Sequence, residues 1–201
     1  MIKHLFLTGL ASLILSSSAF AAPATSASTG DPALSQVKIP PVNSYNISEK
    51  YRAQTVDFSG YKPGTIVIDP KNYFLYYVES STKARRYGIA VGKQGLEFQG
   101  SAKIKFKREW PRWIPTKDMV KRNPTHYGKF ANGMDGGPGN PLGARALYLW
   151  QGNKDTYIRI HGTVQPWTIG SSASNGCFRM VNEDVLDLYD RVELGSEVIV
   201  L

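Results

Sequence analysis

Nucleophilic catalysis needs a reactive side chain with a base in reach, and this chain offers one such pair. Cys177 is its single cysteine, and His161, one of three histidines, lies sixteen residues earlier. A thiol attacks as thiolate. Its free pKa of about 8.5 has to fall, and a neighbouring imidazolium brings it down. The residues around Cys177 suit that task. Ser174-Asn175-Gly176-Cys177 is a run of tight-turn residues that can aim backbone N–H groups at the sulfur and at a developing oxyanion. Gly176 lets a substrate approach closely. Arg179, two residues on, either holds a substrate carboxylate or pins the loop to its scaffold. The competing readings are a small buried hydrophobe for Cys177 and an ordinary surface imidazole for His161.

Other chemistries fit less well. One cysteine and two histidines beyond the N-terminus, His126 and His161, with no HExxH or CxxC spacing, are too few for a zinc site. A serine nucleophile lacks its GxSxG turn. Residues 132–143, NGMDGGPGNPLG, hold five glycines but no Gly-Lys-Ser/Thr end, so they are no phosphate loop. They form either a plain surface loop or the wall of a cleft.

The elements that must position the pair are mostly strands. In YIRIH, alternation turns Ile158 and Ile160 toward a core and Tyr157, Arg159 and His161 to the other face. GTIVIDPKNYFLYYVES reads as a hairpin about Pro70-Lys71-Asn72, and RRYGIAVG, SAKIKFKREW, RALYLW and EVIVL read as further strands. NEDVLDLYDRV, 182–192, reads as a helix with Asn182 as cap, Glu183 and Asp184 in its first turn, and a stripe of Val185, Leu188, Tyr189 and Val192. PTKDMVKRN adds a second short helix. The expectation is a mainly β domain over 62–201.

The N-terminus reads as processed. Residues 1–21 carry Lys3, an apolar run from Leu5 to Leu15 and Ala19-Phe20-Ala21, the layout of a signal peptide cut after Ala21, with an uncleaved anchor as the alternative. The run is too short to span a bilayer. Residues 22–61, rich in Ala, Ser, Thr and Pro, read as a flexible or extended lead-in. A net charge of +8 draws such a protein to anionic polymers. The basic residues are dispersed, without a nucleic-acid recognition motif. A lone thiol sent to an oxidising compartment asks for a purpose.

His161-Gly162-Thr163, Ile169-Gly170 and Ser174-Asn175-Gly176-Cys177-Phe178-Arg179-Met180 together resemble the signature of the L,D-transpeptidase (YkuD-like) catalytic domain. The resemblance extends over 62–201 through GTIVID, YGIAVGKQG, WPRWIP, GGPGNPLGARALYL and DLYDRVELGSEVIVL. It implies a β-sandwich of mixed strands with one or two short helices, and an exported enzyme that remodels bacterial peptidoglycan without a cofactor. It implies Cys177 as nucleophile, His161 as its base, and the Gly162 backbone as the group orienting the imidazole. Amides at Gly176 and Cys177 would form the oxyanion site, while Thr163, Ser174 and Arg179 would support the loop or contact the stem peptide. Many members carry a histidine where this chain has Asn175, which leaves His161 as the only base. The implied reaction cleaves the bond between the diamino acid and terminal D-Ala of a stem tetrapeptide through a thioester. An amine of another stem, or of an outer-membrane protein, then resolves it. Water in that role would make a hydrolase, and loss of catalysis a wall-binding module. A periplasmic location, no nucleic-acid partner and no stable membrane insertion follow. Trp110, Trp113, Trp167, His126 and Tyr127 either line the cleft or simply pack.

Overall fold

The computed structural model describes residues 32–94, 96 and 98–201. The expected signal peptide therefore lies outside the described residues. In chain order the elements are helix α1 (Pro32–Ser35), strands β1 (Gln54–Asp57), β2 (Ile66–Asp69), β3 (Phe74–Val78), β4 (Lys83–Gly88), β5 (Val91–Gly92) and β6 (Gly100–Glu109), helices α2 (Lys117–Arg122) and α3 (Pro124–Tyr127), strands β7 (Arg145–Gln151), β8 (Lys154–His161), β9 (Ser172–Ser174) and β10 (Phe178–Arg179), helix α4 (Asn182–Arg191) and strand β11 (Glu197–Val200).

Nine strands form one mixed sheet in the order β1-β4-β3-β2-β11-β6-β7-β8-β10, and β5 pairs with β9 in a second, two-stranded sheet. The last strand, β11, closes the sheet at its middle, parallel to β2 and antiparallel to β6. The β2–β3 hairpin forms where expected, because Asp69 accepts from both the backbone and the side-chain amide of Asn72. Ile66, Ile68, Leu75, Ile104, Leu147, Leu149, Ile160 and Phe178 build the core against the α4 stripe Val185, Leu188 and Val192. The mainly β expectation holds. Helices are more numerous than foreseen, since α1 and α3 join the two that were read, and Thr116 and Asn123 cap α2 and α3.

Two local expectations change. Asn182 does not cap α4: Val181 occupies that position with no side-chain cap bond, and Asn182 is used elsewhere. Part of the supposed lead-in is built into the domain. β1 pairs with β4, Ile47 is buried, and Tyr51 packs against Phe74.

The alternation in β8 is interrupted as well. Trp150 pairs with Asp155 but Tyr148 with Arg159, so β8 carries two extra residues between those registers. Tyr157 sits there at φ 60°, and side chains replace the missing ladder bonds: Thr156 Oγ1 donates to Leu149 O, and Asp155 accepts from the Tyr157 amide. After the bulge the alternation resumes, with Ile160 in the core and Arg159 and His161 facing away from it.

Candidate active site

β10 runs parallel to β8 with Phe178 opposite Ile160 and Arg179 opposite His161. Phe178 and Ile160 both point into the core, so the pleat turns Cys177 and Arg179 to the face that carries Arg159 and His161. Sixteen residues of sequence are thereby folded into neighbouring strands. Cys177 is half-buried, and its Sγ–H donates to the Tyr157 carbonyl at 3.8 Å, a carbonyl aimed there by the β8 bulge.

His161 is 4% exposed. Its Nδ1 lies 2.6 Å from the Gly162 carbonyl. A carbonyl only accepts, so Nδ1 carries the proton of the neutral ring. The carbonyl is itself well placed, because the Gly162 amide donates to Arg145 O at 3.0 Å. Asn182 bridges the same region, accepting from the Ala144 amide and donating to Thr163 O. Its Oδ1 lies so close to Gly162 that an added Cβ would meet it at 2.1 Å. Only glycine fits there.

The electrostatics correct one expectation. Burial pulls the His161 pKa down to about 4, and the Arg179 and Arg159 charges push the same way against the backbone at Gly162 and Leu142. Burial pushes the Cys177 thiol up, although the Arg159 backbone and the charges of Arg159 and Arg179 oppose it. The resting pair is therefore a neutral thiol and a neutral imidazole, not the imidazolium–thiolate pair expected from thiol chemistry alone. Desolvation outweighs the nearby cations.

The remaining candidates divide into framework and rim. Ser174 is buried, donates to the Cys177 carbonyl at 2.5 Å and accepts from the Gly176 amide at 3.1 Å. Gly176 turns at φ +118°, a left-handed conformation that glycine adopts without strain. Thr163 is buried and accepts from the Gln165 amide. Arg179 donates to Gln165 Oε1 at 3.0 Å, which ties β10 to the loop that follows His161. Asn175 reaches the other way, to Tyr127 Oη at 3.1 Å and Arg122 at 3.3 Å. Loop 132–143 is not free: Asn140 folds it onto the carbonyls of Met134 and Asp135, and Gly143 packs against Gly162.

Among the aromatics, Tyr127 is brought to the site, Trp113 packs edge-on against Tyr127 and Phe130, and Trp167 is 70% exposed on the loop between His161 and Cys177. His126 stays on the surface, with its ring against Tyr127. Arg159 was placed on the correct face but given no role. It holds Asp155 through two 2.7 Å bonds and stacks 4.2 Å over Tyr148. Its spacing from Asp155 resembles a helical i,i+4 pair and carried no signal inside a strand.

Comparisons with known proteins agree with this arrangement. The model of the YkuD L,D-transpeptidase catalytic domain matches residues 63–200. A relative from Fuscovulum blasticum, named "Putative L,D-transpeptidase in ATP synthase subunits region ORF 5", is 31% identical over 90% of this chain and 92% of its own. ErfK/SrfK of Salmonella typhimurium, a probable L,D-transpeptidase, is 31% identical over 66% of this chain, which spans only 42% of that protein. Among solved structures, one from Brucella melitensis, described as a probable carnitine operon oxidoreductase, is 78% identical, with a TM-score of 0.55 over 80% of this chain and 100% of that one. The avibactam carbamoyl enzyme of Ldtfm shares 18% identity with a TM-score of 0.53, over 70% of this chain and 49% of that one.

Proposed function

Because the chain belongs to the L,D-transpeptidase catalytic domain family, we propose that it is a cysteine acyltransferase acting on peptidoglycan stem peptides, with Cys177 as nucleophile and His161 as base. The observation that supports this most directly is the β8–β10 register, which sets Cys177 and His161 on one face, with the imidazole held through Nδ1 by the Gly162 carbonyl.

The neutral resting pair shapes the mechanism. Nε2 takes the thiol proton as sulfur attacks the carbonyl before the terminal D-Ala, so the thiolate forms only with substrate in place. The oxyanion is held by the Cys177 amide, because the Gly176 amide expected beside it is spent on Ser174 Oγ. The imidazolium so formed is buried beside Arg159 and Arg179, both of which disfavour it. It therefore returns its proton readily to the departing amine. The C–N bond breaks, D-Ala leaves and a thioester remains. An acceptor amine then attacks the thioester, the C–S bond breaks, and the amine's proton returns to sulfur through His161. A stem amine yields a 3→3 crosslink, an amine of an outer-membrane protein yields wall attachment, and water yields a carboxypeptidase. Residues 1–21 assign the protein to the periplasm on this reading.

The test is mass spectrometry of muropeptides after incubation with purified disaccharide-tetrapeptide, with Cys177→Ala as control. Crosslinked dimers lacking one D-Ala, seen with wild type only, support transpeptidation. Tripeptide monomers alone support hydrolysis or a protein acceptor. A carbapenem should add its mass at Cys177, and absence of that adduct would count against a working thiol.

A further inference from the structure

Asn175 stands where the nucleophile loop meets the segment between β6 and β7, and both ends of its amide are used. Nδ2 donates to Tyr127 Oη and Oδ1 accepts from Arg122, partners 48 and 53 residues away in sequence. Arg122 ends α2, is exposed to solvent, and reaches the site from the covering segment. Tyr127 ends α3, with its ring held edge-on by Trp113 at 6.2 Å. On the opposite flank Arg179 is fixed on β10 opposite His161, with one arm on Gln165. Its charge is felt at Cys177, and the Tyr127 hydroxyl lies within its field.

The charges near the thiol are unequal. Arg159 is matched by the bidentate carboxylate of Asp155. Among the described residues, neither Arg122 nor Arg179 has a carboxylate partner. Two unmatched guanidiniums thus flank the nucleophile loop, one fixed on a strand by Gln165 and one delivered by the covering segment and bonded to Asn175. A histidine at 175 would repel Arg122 whenever it was protonated, whereas the neutral amide serves both partners at every pH.

We infer that Arg122, held to the nucleophile loop by Asn175, and Arg179, held on β10, receive the terminal carboxylate of the donor peptide and so confine the enzyme to the last peptide bond of a stem. This rests on the acyltransferase reading above and names the group by which that site recognises its donor. A carboxylate accepts forked N–H bonds from guanidinium better than any neutral group does. A bond inside a longer chain presents a neutral amide at that position and leaves both cations unmatched. The cover, by bringing Arg122, becomes part of donor selection.

Two readouts test this, with Arg122→Ala, Arg122→Lys and Asn175→Ala beside wild type. The first is alkylation of Cys177 by anionic iodoacetate against neutral iodoacetamide, with glutathione as the reference thiol. Wild type should favour iodoacetate relative to glutathione, Arg122→Ala should lower that ratio roughly five- to tenfold, and Arg122→Lys should retain most of it. The second is D-Ala release from a stem tetrapeptide against alaninamide release from its C-terminal carboxamide. Wild type should prefer the carboxylate. Arg122→Ala and Asn175→Ala should raise KM for it with little change in kcat, and should narrow the preference for the carboxylate over the carboxamide. An alkylation ratio unchanged in Arg122→Ala, or equal wild-type turnover of the two peptides, overturns the inference and leaves the acyltransferase intact. Release from neither peptide by wild type removes the acyltransferase reading together with this inference.

Discussion

At the scale of single residues, two buried titrating groups work against each other. His161 is held neutral down to about pH 4, so between pH 6.5 and 4 the unfolded chain binds a proton that the folded one does not, and stability falls as pH falls. Asp184 behaves oppositely. Burial first, then the charge of Glu183, raises its pKa from 3.8 to about 7, so the folded chain keeps a proton that the unfolded chain has lost, and stability falls as pH rises from 4 to 7. Each slope is about 1.4 kcal/mol per pH unit. In the shared window they cancel. Urea midpoints of wild type should change little between pH 4.5 and 6, while Asp184→Asn should gain stability with rising pH by roughly 2 kcal/mol across that interval. A flat profile in the variant would remove Asp184 from the balance. The same pKa directions bear on reactivity. Because the thiol is raised and no imidazolium is present at neutral pH, iodoacetamide alkylation of Cys177 should keep rising past pH 9. A plateau near pH 6 to 7 would mean a preformed ion pair.

At the scale of elements, the site depends on connections that no single strand contains. Asn182, the first residue of α4, ties the end of loop 132–143 to the chain just after His161 by bonding Ala144 N and Thr163 O. Those bonds hold in place the Gly162 carbonyl that selects the imidazole tautomer. Asn182→Ala should cost about 1–3 kcal/mol, since it leaves two part-buried backbone groups unsatisfied. It should also slow carbapenem acylation of Cys177, because the imidazole loses its orientation. Loss of stability with an unchanged acylation rate would show that Asn182 only supports the fold. The β8 bulge has a comparable role: without its two extra residues the Tyr157 carbonyl would not lie beside Sγ.

At the scale of the whole molecule, the N-terminal described segment is a structural part of the domain. The Tyr51 ring lies against Gly170 on the loop between His161 and Cys177, and its backbone lies against Gly88 at the end of β4. It also packs 5.5 Å from the Phe74 ring. β1 meanwhile covers the edge of β4. A chain starting at residue 62 should unfold at lower urea concentration, acylate more slowly and self-associate, because β4 becomes an open edge and the loop between His161 and Cys177 loses its support. Tyr51→Ala alone should reproduce the slower acylation without the association. If the shortened chain matches wild type in all three respects, residues 32–61 are dispensable. Among the described residues no helix is long and apolar enough to cross a membrane.

How much of this was legible beforehand follows from the range of the interactions. Strand alternation, the Asp69–Asn72 turn and the α4 stripe are local patterns, and each was readable because its cause lies within a few residues. Cys177 and His161 were identifiable by chemical type, since a lone thiol among turn residues and a histidine ending a strand carry their own signal. What the amino-acid order determined by itself was therefore the mainly β class and the candidate pair of Cys177 and His161. The tertiary structure decided the rest: that β10 lies parallel to β8, that Asn182 is a brace and not a cap, that Arg122 comes to Asn175, and that Tyr51 supports the loop between His161 and Cys177. It also decided the protonation state of the pair, because desolvation depends on what other segments cover, and no local pattern records that.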